Sequence, residues 1–405
     1  MNQPFDSGAR VVPIAVDTGT GYGRAPRRHD PELTEVGVGT PMGELLRRYW
    51  HPVGLTADAG DTPRAIRVLG EDLILFRARS GRAGLVAPHC AHRGASLYYG
   101  RVEEHGIRCC YHGWLFDVEG RCIEQPCEPE GGRARARVRQ PWYPVEERYG
   151  LVWAYLGPPE RKPVLPRYDA LERLDDGEFL EADDQSIGGG GPQIIPCNWL
   201  QHYENLVDPF HVVVLHGWFS GTQFVEQMAV MPEVTWDTVE LGVRTTSIRK
   251  LGDGKVLRRI SQAALPTLRV IPSPRVGKYG RVESIGFVLP IDDTHFRIYT
   301  AGRVAQPGDL AKVRSRLHGK LWEELSDAEH QRLPGDYEAQ VGQGAITSHV
   351  EEHLVSSDRG IAMLRRLLRK QLARMKEGGD PAGVGYDPHA PPIVFDAGNF
   401  LVDDA

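Results

Sequence analysis

The chain has 405 residues and a formal net charge of −6, with 41% hydrophobic and 25% charged residues. This length predicts two domains, and the near-neutral charge argues against nucleic acid or an anionic membrane as a partner. No apolar run is long enough to cross a bilayer. The first ten residues include Asp6 and Arg10 and have no apolar core, so no secretory signal is expected and a cytoplasmic location is predicted.

The N-terminal part of the chain is predicted to contain an arm and a β-rich domain. Residues 1–38 are rich in glycine, proline and arginine, which is typical of a flexible arm. A short helix is predicted from Thr40 to Trp50, with Thr40 as N-cap and Pro41 in the first turn. Short β-type segments broken by glycine then run from about Val53 to Leu156, which predicts an all-β domain over residues 39–160.

The C-terminal part, residues 161–405, is predicted to form a second domain that mixes helices and strands. A proline-rich linker beginning at Pro158 separates it from the β-domain. Strands are predicted in Thr235–Arg249, Val256–Ala263, Ser284–Val288 and His295–Thr300. Apolar residues between Ile361 and Met375 recur at helical spacing, which predicts a long amphipathic helix capped by Asp358.

Four arginines alternate with other residues between Arg133 and Arg139. On a strand, all four side chains would share one face. Such a face is typical of a solvated edge strand that charge protects from aggregation. The alternative is a docking patch for an acidic electron donor.

Two tight pairs of cysteine and histidine lie in the predicted β-domain. They are Cys90-Ala-His92 and, after sixteen further residues, Cys109-Cys110-Tyr111-His112. Cysteines of a cytoplasmic protein bind metals more often than they form disulfides. The thiolates would hold one iron and the imidazoles a second, which raises the reduction potential above that of an all-cysteine cluster.

Zinc is the main alternative for a mixed Cys/His site. Against zinc, each pair joins one cysteine to one histidine, and both pairs lie on glycine-punctuated loops without a finger helix. The neighbouring Cys110 competes with Cys109 as a ligand, but only Cys109 gives the Cys-x-x-His spacing. Cys110 is therefore predicted to be a small buried side chain.

With these residues the segment resembles the Rieske iron–sulfur centre of the ring-hydroxylating oxygenase family. The resemblance implies a Rieske-type [2Fe–2S] cluster bound by the two cysteines and two histidines. Rieske proteins of respiratory chains carry an extra cysteine after each ligand pair and join the two by a disulfide. Ala95 and Tyr111 occupy those positions here, which fits a cytoplasmic enzyme.

A second candidate metal motif contains His211 and His216. Two histidines with nearby carboxylates predict a 2-His-1-carboxylate triad, which leaves iron positions open for O₂ and substrate. Residues five apart lie about 140° apart on an ideal α-helix, so the helix must end or distort between them. The alternative is a buried helix with two structural histidines. The Rieske motif favours the iron site, because a cluster that carries electrons implies a second site at which those electrons are used.

The stretch from Cys197 to His211 resembles the mononuclear iron motif of the same family. The resemblance implies that His211 and His216 bind iron and that Asn205 and Asp208 belong to the catalytic machinery. In the family, the aspartate three residues before the first iron histidine links the two metal centres across a subunit boundary, and Asp208 holds that position. His202 lies outside the matching positions and is not predicted to be a ligand.

The third iron ligand must be a distant carboxylate. The family places an aspartate after glutamine or glutamate, well downstream and before the last long helix. Asp336 is the predicted ligand by this resemblance, with Glu338 as the alternative. Gly335 departs from the usual glutamine or glutamate, and Ser348-His349 departs from the usual Asp-Arg. The order of these segments resembles the phthalate dioxygenase and phenoxybenzoate dioxygenase branch.

The family resemblance implies an α+β protein with an N-terminal all-β Rieske domain and a helix-grip (START-like) catalytic domain. It also implies a head-to-tail α3 homotrimer that oxidises an aromatic or similar hydrophobic small molecule with O₂. NAD(P)H would supply electrons through a separate reductase, with or without a ferredoxin, because no flavin or nicotinamide fingerprint is visible. Monooxygenation, dioxygenation and O-demethylation stay open. The alternatives from other classes are a Rieske-type electron carrier and a zinc-stabilised binding protein.

Overall fold

The computed structural model describes residues 27–133, 135–185, 191–221, 223–252, 254–274, 279–310 and 320–404. Most of the predicted arm lies outside these residues. The α-helices of the described residues are α1 (Pro31–Thr34), α2 (Pro41–Leu46), α3 (Asp169–Glu172), α4 (Trp199–Asn205), α5 (Phe210–Val213), α6 (Asp327–Arg332), α7 (Asp336–Val341) and α8 (Arg359–Lys376). None of them is both long and apolar enough to cross a membrane.

The strands fall into two groups along the chain. The first group is β1 (Trp50–Leu55), β2 (Arg64–Val68), β3 (Glu71–Arg77), β4 (Ala83–Val86), β5 (Arg101–Val102), β6 (Gly106–Arg108), β7 (Leu115–Asp117), β8 (Cys122–Glu124), β9 (Trp142–Tyr143), β10 (Val145–Arg148) and β11 (Leu151–Tyr155). The second group is β12 (Phe179–Asp183), β13 (Glu233–Val239), β14 (Gly242–Lys250), β15 (Lys255–Ala264), β16 (Leu268–Val270), β17 (Gly280–Arg281), β18 (Ser284–Asp292), β19 (His295–Val304) and β20 (Gly398–Asp403).

The first group of strands forms three small antiparallel sheets, as the short glycine-broken segments predicted. Their orders are β1-β11-β10, β2-β3-β4-β9 and β5-β6-β7-β8. The helix before them begins as predicted, because the Thr40 side chain accepts a hydrogen bond from the Gly43 N–H. It ends at Leu46 and does not continue to Trp50. Trp50 is already the first residue of β1 and pairs with Tyr155 of β11.

The second group forms one nine-stranded antiparallel sheet, ordered β12-β19-β18-β16-β15-β14-β13, with β17 and β20 off this path. The predicted strand Thr235–Arg249 is in fact a hairpin of β13 and β14. The long helix α8 packs against β14 and buries Leu364, Leu368 and Leu372, as its apolar spacing predicted. Asp358 precedes this helix, but its carboxylate accepts from the Val355 N–H instead of the first helical turn.

The strand predicted through the alternating arginines is wrong. Arg135–Arg137 form a 3₁₀ turn, and Gly131 and Gly132 before it have φ of 69° and 94°. These positive φ values, which glycine adopts easily, direct the chain into turns instead of a ladder. Arg135 and Arg137 are exposed on this turn, so a docking patch for an acidic donor stays a prediction.

The two groups of strands share one continuous apolar core. Trp153 of β11 packs edge to face against Phe287 of β18, with ring centroids 4.9 Å apart. Tyr168, in the connection between the groups, contacts the same phenylalanine at 5.9 Å. These rings cover one face of the large sheet, while α4 and α8 pack on the other side. A loop cluster at the small sheets and a helical layer on the large sheet hold the two predicted metal motifs.

Candidate metal centres

The first candidate centre is built by two loops with the same backbone design. In each loop the cysteine N–H donates to the carbonyl oxygen five residues later, at 2.8 Å in both cases. Gly94 and Gly113, four residues after Cys90 and Cys109, donate back to the cysteine carbonyls. Their φ values of 76° and 73° lie in the left-handed region that favours glycine. The repeated turn brings two cysteines and two histidines to one end of the domain.

The four side chains differ in how much solvent they reach. Cys90 and Cys109 are each 3% exposed, whereas the rings of His92 and His112 are half-buried. The two imidazoles meet edge to face with centroids 4.6 Å apart, and His92 stacks on Trp114 at 4.3 Å. The thiol side therefore lies inside the domain and the imidazole side at its surface, where an electron could enter or leave.

The chemistry of these donors fits an iron–sulfur cluster better than a single ion. Burial, together with the neighbouring Cys109 thiol, raises the pKa of Cys90 to about 11, although the N–H groups of His92 and Arg93 point at its sulfur. A thiol in this setting becomes a thiolate when a metal binds it. No three ligand atoms of the four residues converge within 4.8 Å, as one tetrahedral zinc would require, in the described part of the chain.

The prediction for Cys110 is wrong. Its side chain is exposed, whereas Cys109 beside it is buried. Tyr111, the next residue, is also exposed, at 59%. Cys109 faces the core of the domain, and the two residues that follow it face solvent. Cys127 is also exposed, and its thiol lies 3.7 Å from the carbonyl oxygen of His112.

The second candidate centre begins with a distorted helix. α5 ends at Val213 and continues directly into a π-helix over Val214–Phe219. In such a helix the hydrogen bonds run between residues five apart, as Ser220 N–H donates to the carbonyl oxygen of Leu215. Side chains five residues apart then lie on the same side of the helix. The rings of His211 and His216 face each other with centroids 5.5 Å apart, and the distortion required by their spacing is present.

Asp336 joins these two histidines from a distant segment. It lies at the start of α7, with Oδ1 3.3 Å from Nε2 of His216 and 3.6 Å from Nε2 of His211. The three ligand atoms lie within 4.8 Å of one another. Burial would raise the pKa of Asp336, but the two histidines hold it far below its usual range. Asn205 donates to the same oxygen at 3.2 Å.

The alternative third ligand, Glu338, lies outside this group. One of its carboxylate oxygens accepts from the backbone N–H of Gly335, which precedes α7 as its N-cap. The other lies 2.7 Å from Nδ1 of His330 and accepts from the indole N–H of Trp322. The described residues bring Asp336, and not Glu338, to the histidines.

Asp208 makes two kinds of contact. Its Oδ1 accepts from the backbone N–H groups of Phe210 and His211, which is a capping role. Its Oδ2 lies 3.6 Å from Nδ1 of His211, beyond hydrogen-bond distance. Burial would raise the pKa of Asp208, but the His211 side chain and the backbone N–H groups of Phe210 and His211 together lower it. Burial likewise opposes charge on His211, yet Asp208 and Asp336 raise its pKa.

The sequence did not indicate the partners of the other histidines. Gln223 Oε1 lies 2.6 Å from Nδ1 of His216, while the Gln223 amide donates to the Pro334 carbonyl. Gln223 follows in an irregular segment, so no spacing rule identifies it. A metal-bound histidine generally needs such an acceptor on its other nitrogen, and that requirement is the only available signal.

His202 is fully buried and lies outside the ligand group. Its Nδ1 is 3.1 Å from Oε1 of Gln340, and its ring stacks on Phe296 at 5.2 Å. Burial lowers the pKa of His202 to about 3, so the ring is neutral. Its Nε2 has no hydrogen-bond partner among the described residues.

Comparison with known proteins identifies the family. Residues 49–144 match the model of the Rieske [2Fe-2S] domain. Phenoxybenzoate dioxygenase subunit alpha of Ectopseudomonas oleovorans is 50% identical over 97% of both chains. The oxygenase subunit of tert-butanol monooxygenase / tert-amyl alcohol desaturase of Aquincola tertiaricarbonis is 38% identical over 87% of this chain and 78% of its own length.

A solved structure shares the fold at low sequence identity. The NdmA QL mutant of Pseudomonas putida CBB5, solved with caffeine, superposes with a TM-score of 0.61 at 20% identity. The match covers 87% of this chain and 99% of that one, so the fold likeness extends over both groups of strands. The Rieske match and the 50% identical relative, which is covered over 97% of its length, show that the chain is the oxygenase subunit of a Rieske non-haem iron oxygenase, in the branch of phenoxybenzoate dioxygenase, with a [2Fe–2S] cluster and a mononuclear iron.

Proposed function

We propose that the protein oxidises an aromatic or similar hydrophobic small molecule at an iron held by His211, His216 and Asp336. The convergence of these three side chains within 4.8 Å, from segments far apart in the chain, is the observation that carries the proposal. Two histidines and one carboxylate on one face are typical of iron that activates O₂. When bound, the iron supplies reductive O₂ activation, and the protein groups hold and orient its ligands.

We further propose that Cys90, His92, Cys109 and His112 hold the [2Fe–2S] cluster. The buried thiols and the half-buried imidazoles support this assignment, because a Rieske cluster has two different ligand ends. The imidazole end faces solvent and is the natural side for electron exchange. We also propose a Rieske domain over residues 39–160 and a catalytic domain over residues 161–405, which the grouping of the strands supports.

Three neutral or anionic groups orient the iron ligands in this proposal. Gln223 accepts from Nδ1–H of His216 and leaves Nε2 free for the metal. Asn205 donates to Asp336 and fixes the carboxylate. Asp208 Oδ2 lies 3.6 Å from Nδ1 of His211, so it acts on this ring by its charge and not through a hydrogen bond. Such contacts set the tautomer of each ring and its basicity as a ligand.

The head-to-tail α3 trimer is supported by exposed apolar side chains beside each centre. Trp218 and Phe219, on the π-helix of the iron site, are 60% and 67% exposed. Tyr99 and Tyr111, near the Rieske loops, are 71% and 59% exposed. Exposed aromatic groups of this kind mark protein interfaces. A trimer would bury one patch against the other and place Asp208 beside His112 of the partner subunit.

The electron source we propose is NAD(P)H, through a separate reductase with or without a ferredoxin. The chain would then work in the cytoplasm, where cysteines stay reduced, and none of its six cysteines forms a disulfide. By name the relatives are single subunits of oxygenases, subunit alpha in one and the oxygenase subunit in the other, which supports a separate electron donor. A pure electron carrier would have no use for the second site, and a zinc-stabilised binding protein would not need two separate centres of different ligand type.

The experiment that tests this function is steady-state O₂ uptake by the reconstituted enzyme. The purified trimer, loaded with both metal centres, is mixed with NADH, a surrogate reductase and a panel of aromatic compounds. We expect O₂ uptake that depends on substrate and yields an oxygenated product. Uptake that continues with the apo-iron enzyme, or that never exceeds the reductase alone, would refute the proposal.

A further inference from the structure

The segment over residues 125–140, which we call the arginine loop, is fixed at both ends on the two Rieske loops. At its start, Pro126 packs on the loop that carries His112, because a Cβ placed on Gly113 would lie 2.7 Å from Cγ of Pro126. The neighbouring Cys127 thiol lies 3.7 Å from the carbonyl oxygen of His112. The first part of the arginine loop therefore rests on one of the two cluster-binding turns.

The other end of the arginine loop is fixed on the loop that carries Cys90. The buried side chain of Gln140 holds the backbone there at three points. Its amide donates to the Ala87 and His89 carbonyls at 2.9 Å, and its oxygen accepts from the Ala91 N–H at 2.8 Å. Two residues earlier, Val138 packs in the apolar cluster that contains both ligand cysteines. The residues between these anchors are therefore held beside the Rieske site.

Four arginines lie in the arginine loop, and all of them are exposed. Arg133 pairs with Glu130 at 2.7 Å. Arg135 and Arg139 donate hydrogen bonds only to backbone carbonyl oxygens, and Arg137 makes neither a hydrogen bond nor an ion pair with the residues that the structure describes. Three of the four guanidinium groups are therefore without a carboxylate partner in the described part of the chain.

Protection of a sheet edge does not account for these charges. Arg135–Arg137 form a 3₁₀ turn and belong to none of the sheets of the described residues, so they cover no edge strand. Residues 128–139 nevertheless hold four arginines and two glutamates, a formal charge of +2 in a chain whose net charge is −6. A local cationic patch on a protein of opposite net charge is typical of a surface that meets an acidic partner.

Arg93 adds a guanidinium from the Rieske loop itself. It directly follows His92, is exposed, and makes no ion pair with a described carboxylate. Its Cζ lies 5.8 Å from the ring centroid of Tyr111 on the other Rieske loop. The Tyr111 ring in turn lies 3.9 Å from the ring of His112. Exposed arginine and tyrosine side chains, which are both common at protein interfaces, thus lie beside the half-buried imidazoles.

We propose that the arginine loop, together with Arg93, is the docking surface for an acidic face of the protein that donates electrons to the Rieske centre. The inference rests on the proposed function, because it locates the surface that meets the separate electron donor. Carboxylates of the donor would pair with Arg135, Arg137 and Arg139 and set its orientation. In the proposed trimer the imidazoles face Asp208 of the partner subunit, which leaves the side of the arginine loop for the donor.

Each docking event would transfer one electron and no atoms. The redox centre of the donor is oxidised by one electron and the cluster bound by this chain is reduced by one, without a bond formed or broken. A donor with an all-cysteine iron–sulfur centre makes this step favourable, because histidine ligation gives the accepting cluster the higher potential.

The test measures binding to the holoenzyme with an acidic plant-type [2Fe–2S] ferredoxin as the probe. Calorimetry on the oxidised proteins at several salt concentrations would compare the wild type with Arg135→Gln/Arg137→Gln/Arg139→Gln. Loss of three exposed charge pairs should weaken binding by about 3- to 150-fold at low salt. The affinity that remains should depend less on salt, because fewer charge pairs are left to be screened.

A second triple variant, Arg359→Gln/Arg366→Gln/Lys370→Gln, is the matched control. It removes three exposed cations from α8 and changes the net charge equally, so it should bind the ferredoxin like the wild type. Stopped-flow reduction of the Rieske absorbance by reduced ferredoxin should slow only in the arginine-loop variant. Photoreduction by neutral 5-deazariboflavin, which needs no docking surface, should be equally fast in all three proteins and checks that the cluster is intact.

A single substitution keeps the test decisive if the arginine-loop variant does not fold. Arg139 contacts the Trp142 ring, with Cζ 5.8 Å from its centroid, so its loss can disturb the domain. Arg137 has no such contact among the described residues, and Arg137→Glu should weaken ferredoxin binding at low salt more than Arg137→Gln. Hydrogen exchange over residues 135–139 should slow when the ferredoxin is added to the wild type.

The inference and the proposed function fail separately. Wild-type enzyme that binds the ferredoxin without salt dependence or not at all, or triple variants that lose binding equally, would overturn the docking surface. Substrate-dependent O₂ uptake with a chemical reductant would in that case leave the oxygenase function standing. Loss of ferredoxin binding in the arginine-loop variant alone, in an enzyme that takes up no O₂ with any substrate, would support the surface and refute the proposed reaction.

Discussion

The two metal centres of this protein are assembled in opposite ways. The Rieske loops each carry a cysteine and a histidine within four residues, and the same backbone turn is used twice. The iron site draws His216 and Asp336 from positions 120 residues apart. The first centre is therefore a property of local turns, and the second depends on how the whole catalytic fold brings its segments together.

This difference makes the iron site the more sensitive of the two to ligand loss. His216→Ala or Asp336→Ala removes one of three ligands, and a triad has none to spare. We expect turnover to be abolished and iron to fall by about one per chain, with the visible Rieske spectrum unchanged. Metal analysis and O₂ uptake on the same samples measure both effects.

His330→Ala is the control for these variants, because His330 bonds to Glu338 outside the ligand group. It should keep its full iron content. An active His216→Ala enzyme would show that the triad is assigned wrongly, whatever happened at His330.

The assignment of the Rieske ligands can be tested with two adjacent cysteines, because Cys109 is buried and Cys110 is exposed. Cys109→Ser should lose the cluster and its red-brown colour, because its buried thiolate is a proposed ligand. Cys110→Ser should keep both, since the exposed thiol points away from the core. Electron paramagnetic resonance of the reduced wild type should show the low average g-value of mixed histidine and cysteine ligation. A colourless wild type that contains zinc would favour the zinc alternative.

The contrast between the centres also explains what the sequence could predict. The sequence predicts four cluster ligands because their spacing and the loop glycines lie within short segments of the chain. These predicted ligands are Cys90, His92, Cys109 and His112. The π-helical distortion between His211 and His216 followed from the angle that five residues subtend on an α-helix. Each of these predictions needed only a short segment.

Other features could not be predicted in this way. Asp336 was predicted as the third ligand by family resemblance alone, and Gln223 was missed, because the fold decides which distant oxygen reaches a histidine. Cys110 and the strand through Arg133–Arg139 were wrong for a related reason: composition says little about which way a loop turns. In a tight turn, adjacent side chains can point in opposite directions: Cys109 is buried and Cys110 is exposed.

A smaller loss of turnover is expected from substitution of Asp208, the residue proposed to link the two metal centres. Asp208→Asn should keep both metals and the proposed trimer yet lower turnover by about 10- to 100-fold, the range found for partners of metal ligands. The reduced cluster should fail to reoxidise when substrate and O₂ are added in a single turnover. The asparagine oxygen can still accept from the Phe210 N–H, so a pure capping role predicts normal reoxidation.

The smallest effect is expected at Gln223, whose Oε1 lies 2.6 Å from Nδ1 of His216. Gln223→Ala removes the acceptor that fixes the ring but leaves the ligand itself, so iron affinity should fall by about tenfold while saturating iron restores most activity. Gln223→Glu keeps an acceptor at the same position and should retain iron. Dialysis against a graded chelator series compares the two variants. Equal iron loss in both would mean that Gln223 acts through its bond to the Pro334 carbonyl, which supports the segment before Asp336 instead of the histidine.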